Sequence, residues 1–225
     1  MDSETLQKIF LLIPPLLLAI TLHEAAHAYA ARHYGDHTAE KLGRITINPF
    51  AHIDPVGTIL VPLVLFFTTS AITEGGFIFG WAKPVPVDYR NFANPRIAIR
   101  MTAFAGPLSN FVMLFAWGLL RLLAPYAPSG MEYVIYEMCV YGIIINTILF
   151  VLNMFPLLPL DGGRVLETFL PDDLAIKFRQ IEPFGMTILI ILALTGILSA
   201  VLWPVEKIVI DFMQFALTPF ELIFN

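Results

Sequence analysis

The sequence contains a His-Glu-x-x-His segment, from His23 to His27, whose residue types and spacing suit metal-assisted hydrolysis. Side chains four residues apart lie on the same face of a helix, so the two imidazoles could bind one Zn²⁺ ion. Glu24, between them, could accept a proton from a water molecule that the ion polarises. The segment therefore indicates the chemistry of a zinc-dependent hydrolase.

A catalytic zinc site needs a third protein ligand and an open coordination position. Asp161 is the strongest candidate, because Pro156 and Pro159 interrupt the helix before it and two glycines after it allow a tight turn. Non-helical backbone at membrane depth is tolerated only where it lines a cavity. The alternative is that Asp161 belongs to an ordinary turn after a helix.

The composition is that of a membrane protein. Of the 225 residues, 57% are hydrophobic and 14% are charged, and the mean hydropathy is +0.75, whereas about a quarter of the residues in soluble domains are charged. The net charge is −5 and the Lys and Arg residues form no long run, which argues against nucleic acid as a partner. Membrane lipid is instead the partner that the composition predicts. Ionisable side chains within lipid are costly and usually face the interior of a helix bundle. The alternative for the His-Glu-x-x-His segment is a helix end whose polar side chains reach toward interfacial water.

Apolar runs predict the helices that position these residues. The first helix is expected at residues 6–33, with the His-Glu-x-x-His segment in its second half and with Pro14 and Pro15 bending it. Further apolar helices are predicted at residues 97–123, 133–155, 184–203 and 205–224. The last of these contains charged residues and is expected to lie along the membrane interface. The predicted fold class is an all-α polytopic membrane protein with about five to six apolar helices.

Two shorter segments lie between the first helix and the second long one. Residues 42–49 place β-branched residues between turn formers, which predicts a short strand. Residues 56–70 form an apolar run of about 15 residues, shorter than the roughly 20 that a helix needs to cross a bilayer. If this run enters and leaves the membrane on the same side, most Lys and Arg residues lie on one side of the membrane. Short cytoplasmic loops are enriched in Lys and Arg, so this distribution is the expected one. We therefore favour a re-entrant segment over a crossing one, with the end of the first helix on the cytoplasmic side.

Three motifs follow one another along the chain: His23-Glu24-x-x-His27, Asn153-x-x-Pro156 and Leu160-Asp161-Gly162. Together they resemble the motifs of the site-2 protease family of intramembrane zinc metalloproteases. Gly106-x-x-x-Asn110 is similar to a further element of that family, and residues 80–87 are similar to a hairpin that the family carries beside its active site. The resemblance covers most of the chain and implies β-hairpin elements near the site.

The resemblance also implies a domain organisation. Residues 1–225 are expected to form a single membrane-embedded metalloprotease domain, with a catalytic core at about 6–170 and C-terminal helices at about 184–224. The chain resembles a minimal core form, without a PDZ or nucleotide-sensing module.

By the same resemblance, His23, His27 and Asp161 are expected to bind one Zn²⁺ ion per chain, with Glu24 as the general base. Two asparagines are further candidates for contact with the substrate. Asn153 is expected to meet the substrate strand or the oxyanion, or alternatively to cap carbonyl groups of the unwound segment.

Asn110 is the second of these asparagines. It lies one helical turn after Gly106. A substrate contact is expected by resemblance, and the alternative is that both residues let neighbouring membrane helices pack closely.

A helical substrate must unwind before its peptide bonds can be hydrolysed, and bare backbone groups in lipid cost several kcal/mol each. In an extended segment, Pro84 and Pro86 remove the donors from one edge, whereas Val85 and Val87 keep both donors and acceptors on the other. Val85 and Val87 are therefore predicted to bind the substrate strand by β-augmentation. The alternative is that the prolines protect a sheet edge from unwanted pairing.

These observations predict an intramembrane zinc endopeptidase that acts in or near the transmembrane segments of single-span proteins, in the cell membrane of a prokaryote. One alternative is a transporter for divalent metal that uses the His and Asp residues as a transit site. A second is a catalytically inactive scaffold that binds membrane helices. Glu24 argues against both, because neither metal transit nor scaffolding requires a carboxylate between two ligands.

Overall fold

The computed structural model describes residues 3–61, 64 and 80–224, and regular structure in these residues is helical. The α-helices are α1 Ser3–His33, α2 Thr38–Lys41, α3 Pro95–Leu123, α4 Glu132–Asn153, α5 Asp161–Glu167, α6 Asp172–Arg179, α7 Glu182–Leu194 and α8 Ile197–Phe224. Short 3₁₀ turns lie at Pro49–Ala51, Tyr89–Asn91 and Ala124–Tyr126, and a π-helical stretch lies at Pro55–Leu60.

Among the residues that the structure describes, three helices are long and apolar enough to cross a membrane. They are Leu6–His33 within α1, Pro95–Tyr126, which joins α3 to the turn after it, and α4. The pair α7 and α8 provides a fourth apolar stretch if it is counted as one span, although it is bent by 83°. The chain is thus a membrane protein, as its composition predicts. Among the described residues, the predicted number of about five to six membrane helices is not confirmed.

The helix predicted at residues 184–203 is wrong in its extent, because the chain breaks within it. α7 ends and α8 begins on either side of Gly196, which has a φ of +75°. Glycine adopts this left-handed conformation at little cost, so the two apolar runs on its flanks form separate helices. α8 then continues through Pro204, and the segment predicted separately at residues 205–224 belongs to it.

The strand predicted at residues 42–49 is not formed. Gly43, with a φ of +65°, follows the end of α2, and the Asn48 side chain accepts a hydrogen bond from the Phe50 amide (3.1 Å) to cap the next 3₁₀ turn. Residues 80–88 also have no regular secondary structure, so the predicted hairpin is not found in the described part of the chain. β-branched residues favour a strand only when a neighbouring strand can pair with them, and the described residues offer none.

The apolar run at residues 56–70 lies mostly outside the described residues. Its start is helical, and Asp54 caps it by accepting hydrogen bonds from the amides of Val56 (2.9 Å) and Gly57 (2.7 Å). Whether the run is re-entrant stays a prediction.

The packing of the helices brings the motifs of the sequence together. α1, α3 and α4 contact one another, and α8 packs on α3 and α4 around a core that includes Leu114, Ile143 and Met213. Gly118 of α3 allows α8 to approach closely, since a Cβ there would lie 2.5 Å from Cδ1 of Leu217. α5 also contacts α3. The later, proline-rich part of the chain therefore reaches the helices that carry the first motif.

Candidate active site

Three side chains from two distant segments converge. Nε2 of His23 lies 3.2 Å from Oδ2 of Asp161, Nε2 of His27 lies 3.3 Å from the same oxygen, and the two Nε2 atoms are 3.0 Å apart. This group could hold a metal ion. Ligand atoms around a tetrahedral Zn²⁺ ion, with bonds of about 2.0–2.2 Å, are about 3.3–3.6 Å apart. The donor types therefore fit zinc, and the three separations of 3.0, 3.2 and 3.3 Å lie at or just below those of a tetrahedral site.

Asp161 reaches the histidines because the chain packs tightly on itself after α4. α4 ends at Asn153, and residues 154–160 contain no helix, as the two prolines predict. A Cβ on Gly162 would lie 2.3 Å from the Met154 carbonyl oxygen, and the same atom on Gly163 would lie 2.5 Å from a backbone carbon of residue 157. Only glycine permits this approach, so the two glycines place Asp161 at the start of α5.

Each imidazole is oriented through its other nitrogen. The Nδ1–H of His27 donates to the backbone carbonyl of Thr102 (2.7 Å), and the Nδ1–H of His23 donates to Oδ1 of Asn110 (2.6 Å). With the proton on Nδ1, the lone pair of each Nε2 is left for a metal. Both partners belong to α3, which therefore orients the ligands that α1 supplies.

Gly106 of α3 lies directly against the two imidazoles. A Cβ at this position would lie 2.3 Å from Nε2 of His27 and 2.7 Å from Nε2 of His23. Any side chain would therefore displace the metal-binding atoms. Close helix packing is the alternative for the Gly-x-x-x-Asn element. Gly106 does let α3 lie close to α1, at the position of the two histidines.

Glu24 is buried beside the ligands, with 9% of its surface exposed. Its Oε2 accepts a hydrogen bond from the backbone amide of Val85 (2.8 Å). The Val85 side chain is also buried and packs with Ala28 and Ala39, with Val87 at the edge of the same cluster. The Val85 amide is therefore directed at the glutamate and is not an open edge donor in this structure.

The segment that contains Val85 is fixed on both sides. The backbone amide of Lys83 donates to the carbonyl of His52 (2.9 Å), and the backbone amide of Asp88 donates to Oδ2 of Asp36 (2.8 Å). These bonds hold residues 83–88 against the end of α1 and the loop that follows it, which keeps the Val85 amide at Glu24.

Asp36 is the centre of this second anchor and is fully buried. Its carboxylate accepts hydrogen bonds from Thr38, from the Asn91 side chain (2.7 Å) and from the Asp88 amide. Burial alone would raise the pKa of Asp36, but these hydrogen bonds outweigh it and hold the pKa below its ordinary value. Sequence reasoning missed Asp36, because two of its partners are 52 and 55 residues away.

α5 is held in place by ion pairs. Glu167, with 7% of its side chain exposed, pairs with Arg164 on the same helix (3.5 Å) and with Arg179 on α6. Arg164 also pairs with Glu182 at the start of α7. A buried carboxylate needs such partners. The network fixes the helix whose first residue is Asp161.

The two asparagines predicted to contact substrate have other partners in the structure. Asn110 is fully buried, and its Nδ2–H group donates to Oδ1 of Asn146 (3.0 Å). The Nδ2–H group of Asn153 donates to the carbonyl of Leu149 (2.9 Å) within α4, and capping of carbonyls in the unwound segment stays a prediction. Contact with substrate stays a prediction for both. Sequence reasoning missed Asn146, although a polar residue in the middle of an apolar run was a usable signal.

Comparisons with known proteins identify relatives along most of the chain. It is 39% identical over 200 residues to YwhC of Bacillus subtilis, a protein named as a zinc metalloprotease, which covers 86% of this chain and 84% of YwhC. It is 26% identical over 190 residues to Rip2 of Mycolicibacterium smegmatis, which carries the same description, over 84% of this chain and 68% of Rip2. A third relative so described, MJ0611 of Methanocaldococcus jannaschii, is 32% identical over 47% of this chain and 50% of its own length. No protein-family model matches the chain. No solved structure matches it either.

Proposed function

The chain belongs to the site-2 protease family of zinc metalloproteases, and on this premise we propose that it hydrolyses peptide bonds in or near the transmembrane segments of single-span proteins. The observation that supports the intramembrane site is that His23 and His27 lie on α1, a helix long and apolar enough to cross a membrane, and that Asp161 meets them there. In this proposal residues 1–225 form one domain that crosses a prokaryotic cell membrane several times. Bacterial and archaeal relatives agree with that location.

His23, His27 and Asp161 would hold the zinc ion. When bound, zinc supplies Lewis-acid chemistry, since it lowers the pKa of a bound water to about 7 and polarises a carbonyl group. The burial of both histidines excludes bulk water from most of the site, which strengthens electrostatic interactions there.

Glu24 would be the general base and then the general acid. It takes one proton from water as the water oxygen bonds to the scissile carbonyl carbon, and it delivers that proton to the nitrogen as the C–N bond breaks. The Val85 amide holds one carboxylate oxygen and leaves the other oxygen for this proton transfer. The backbone of residues 83–88 therefore orients the base.

Val85 and Val87, which are predicted to clamp the substrate strand by β-augmentation, have different roles in this proposal. Val85 uses its amide to orient Glu24, whereas Val87 lies at the edge of the same buried cluster. The clamp proposal is kept for Val87, whose backbone groups would pair with an unwound substrate strand beside the site. The two valines should then affect different kinetic parameters.

The transporter alternative finds no support. The relatives that cover most of the chain are described as metalloproteases, and a metal transit site has no need for a carboxylate between two ligands. A scaffold without activity would have no need for Glu24 or for the amide that orients it.

The test is a cleavage assay with purified protein in detergent and a panel of single-span substrates. Glu24→Gln should abolish cleavage while zinc content stays at the wild-type value. Glu40→Gln removes a glutamate of α2 that lies outside the site, and it serves as the matched control. Cleavage by the Glu24→Gln variant at the wild-type rate would refute the proposed function.

A further inference from the structure

Asn146 is a fully buried polar residue in the middle of α4, and it is neither a predicted ligand nor part of a motif. Its Nδ2–H group donates to the backbone carbonyl of Gly142 (2.8 Å), and its Oδ1 accepts from the Nδ2–H group of Asn110 (3.0 Å). Asn110 in turn reaches His23. A chain of hydrogen bonds thus runs from a backbone carbonyl on α4, through α3, to a predicted metal ligand on α1.

The direction of every bond in this chain follows from its first member. A carbonyl oxygen can only accept, so the amide nitrogen of Asn146 must face Gly142 and its oxygen must face Asn110. The amide nitrogen of Asn110 must then face Asn146, and it also donates to the carbonyl of Ala19 (3.3 Å). The oxygen of Asn110 is left to face Nδ1 of His23 (2.6 Å).

The orientation of the Asn110 amide determines the tautomer of His23. Because Nδ1 faces an acceptor, it must carry the proton, and the lone pair is on Nε2, 3.2 Å from Asp161. If the Asn110 amide were reversed, its NH₂ group would face Nδ1, the proton would move to Nε2, and that nitrogen could not bind a metal. His27 has no such ambiguity, since a backbone carbonyl, that of Thr102, sets its tautomer.

We propose that Asn146 is a positioning residue for zinc, which, together with the Ala19 carbonyl, holds the Asn110 amide in the one orientation that gives His23 its metal-binding tautomer. The inference rests on the zinc site of the proposed function, and it goes beyond that function by assigning a role to a residue of α4. The competing interpretation is that the Asn110 and Asn146 pair only joins two membrane helices, as polar pairs do.

Asn146→Leu separates the two interpretations when zinc affinity is measured by competition with a chelator. Loss of the nearer of the two acceptors of the Asn110 NH₂ group should weaken zinc binding by about tenfold, the lower end of the range for residues that orient metal ligands. Thr147→Val is the matched control, because Thr147 is the neighbouring buried polar residue of α4 and bonds only within its own helix, to Ile143 (2.8 Å). This control should keep wild-type zinc affinity.

A rescue variant makes the test independent of folding effects. A carboxylate can only present oxygen to Nδ1 of His23, so Asn110→Asp combined with Asn146→Leu no longer needs Asn146 to set the direction. The double variant should bind zinc within about threefold of wild type, whereas the helix-joining interpretation predicts no recovery. Thermal unfolding of the metal-free proteins should show no matching recovery.

The proposal is overturned if Asn146→Leu binds zinc as tightly as wild type, or if the double variant binds no better than Asn146→Leu alone. Failure of wild-type protein to bind zinc at all would instead refute the zinc site of the proposed function. The two failures are therefore distinguishable in one titration series.

Discussion

The backbone amide of Val85 donates a hydrogen bond to Oε2 of Glu24, over 2.8 Å. The two residues are 61 positions apart, and the bond joins an irregular segment to the second half of a helix that is long and apolar enough to cross a membrane. A charge-assisted bond of this kind fixes the carboxylate of a general base more firmly than packing alone. In the proposed mechanism the irregular segment is thus part of the catalytic arrangement.

Val85→Pro should lower kcat by about tenfold or more, because it removes the amide that orients Glu24. Zinc content should be unchanged, since none of the three ligand side chains is altered. Val85→Ala keeps the amide while it trims the buried side chain, and it should retain most of the activity. Steady-state kinetics and metal analysis check this. A Val85→Pro enzyme with wild-type kcat would show that the bond has no part in catalysis.

Val87→Pro should act on substrate binding and not on the base. It places a proline after Pro86, just as Val85→Pro places one after Pro84, so the two variants disturb the backbone in the same way. We expect Val87→Pro to raise KM several-fold with kcat little changed, because the substitution removes the backbone N–H that would pair with the substrate strand. Equal loss of kcat in both variants would contradict this division of roles.

Gly106→Ala should abolish tight zinc binding. The new Cβ would lie 2.3 Å from Nε2 of His27, so the imidazoles must move away from Asp161. We expect zinc affinity to fall by more than about a hundredfold, beyond the effect of losing an orienting partner. Gly118→Ala is the control on the same helix, since it meets the ends of Leu217 and Met213 and is far along α3 from the site. Retention of zinc by Gly106→Ala would contradict this, because it would mean that there is room for a side chain between α3 and the imidazoles of α1.

Asp36→Asn should reduce thermal stability in a pH-dependent way. Because the folded-state pKa of Asp36 is lowered below its ordinary value, its ionised form contributes stability above that ordinary value. The contribution is lost as the pH falls through the folded-state pKa. Wild type should therefore melt a few degrees above Asp36→Asn at neutral pH, and the gap should close as the pH falls below the ordinary pKa of an aspartate side chain. Unfolding curves in detergent at several pH values measure the gap, and a constant gap would contradict the assigned cause.

The sequence predicts the metal group and the long helices because both depend on local patterns. The spacing of His23 and His27 on a helix fixes their common face, and prolines and glycines around Asp161 require an irregular approach. Runs of apolar residues identify α1, α3 and α4 by length alone.

What the sequence does not predict are relationships set by helix packing. The bond between Val85 and Glu24, the anchor at Asp36 and the link from Asn146 to His23 each join residues that no local pattern relates. The break at Gly196 was missed because a single glycine in an apolar run is compatible with a continuous helix as well as with a helix end.

The central claim is that His23, His27 and Asp161 bind one zinc ion, and metal analysis of purified protein tests it most directly. Wild type should contain about one zinc per chain, and Asp161→Ala should contain less than about a tenth of that, because two imidazoles alone hold zinc weakly. Asp172→Ala, which removes an exposed carboxylate of α6, should match wild type. A full zinc equivalent in purified Asp161→Ala protein would contradict the account.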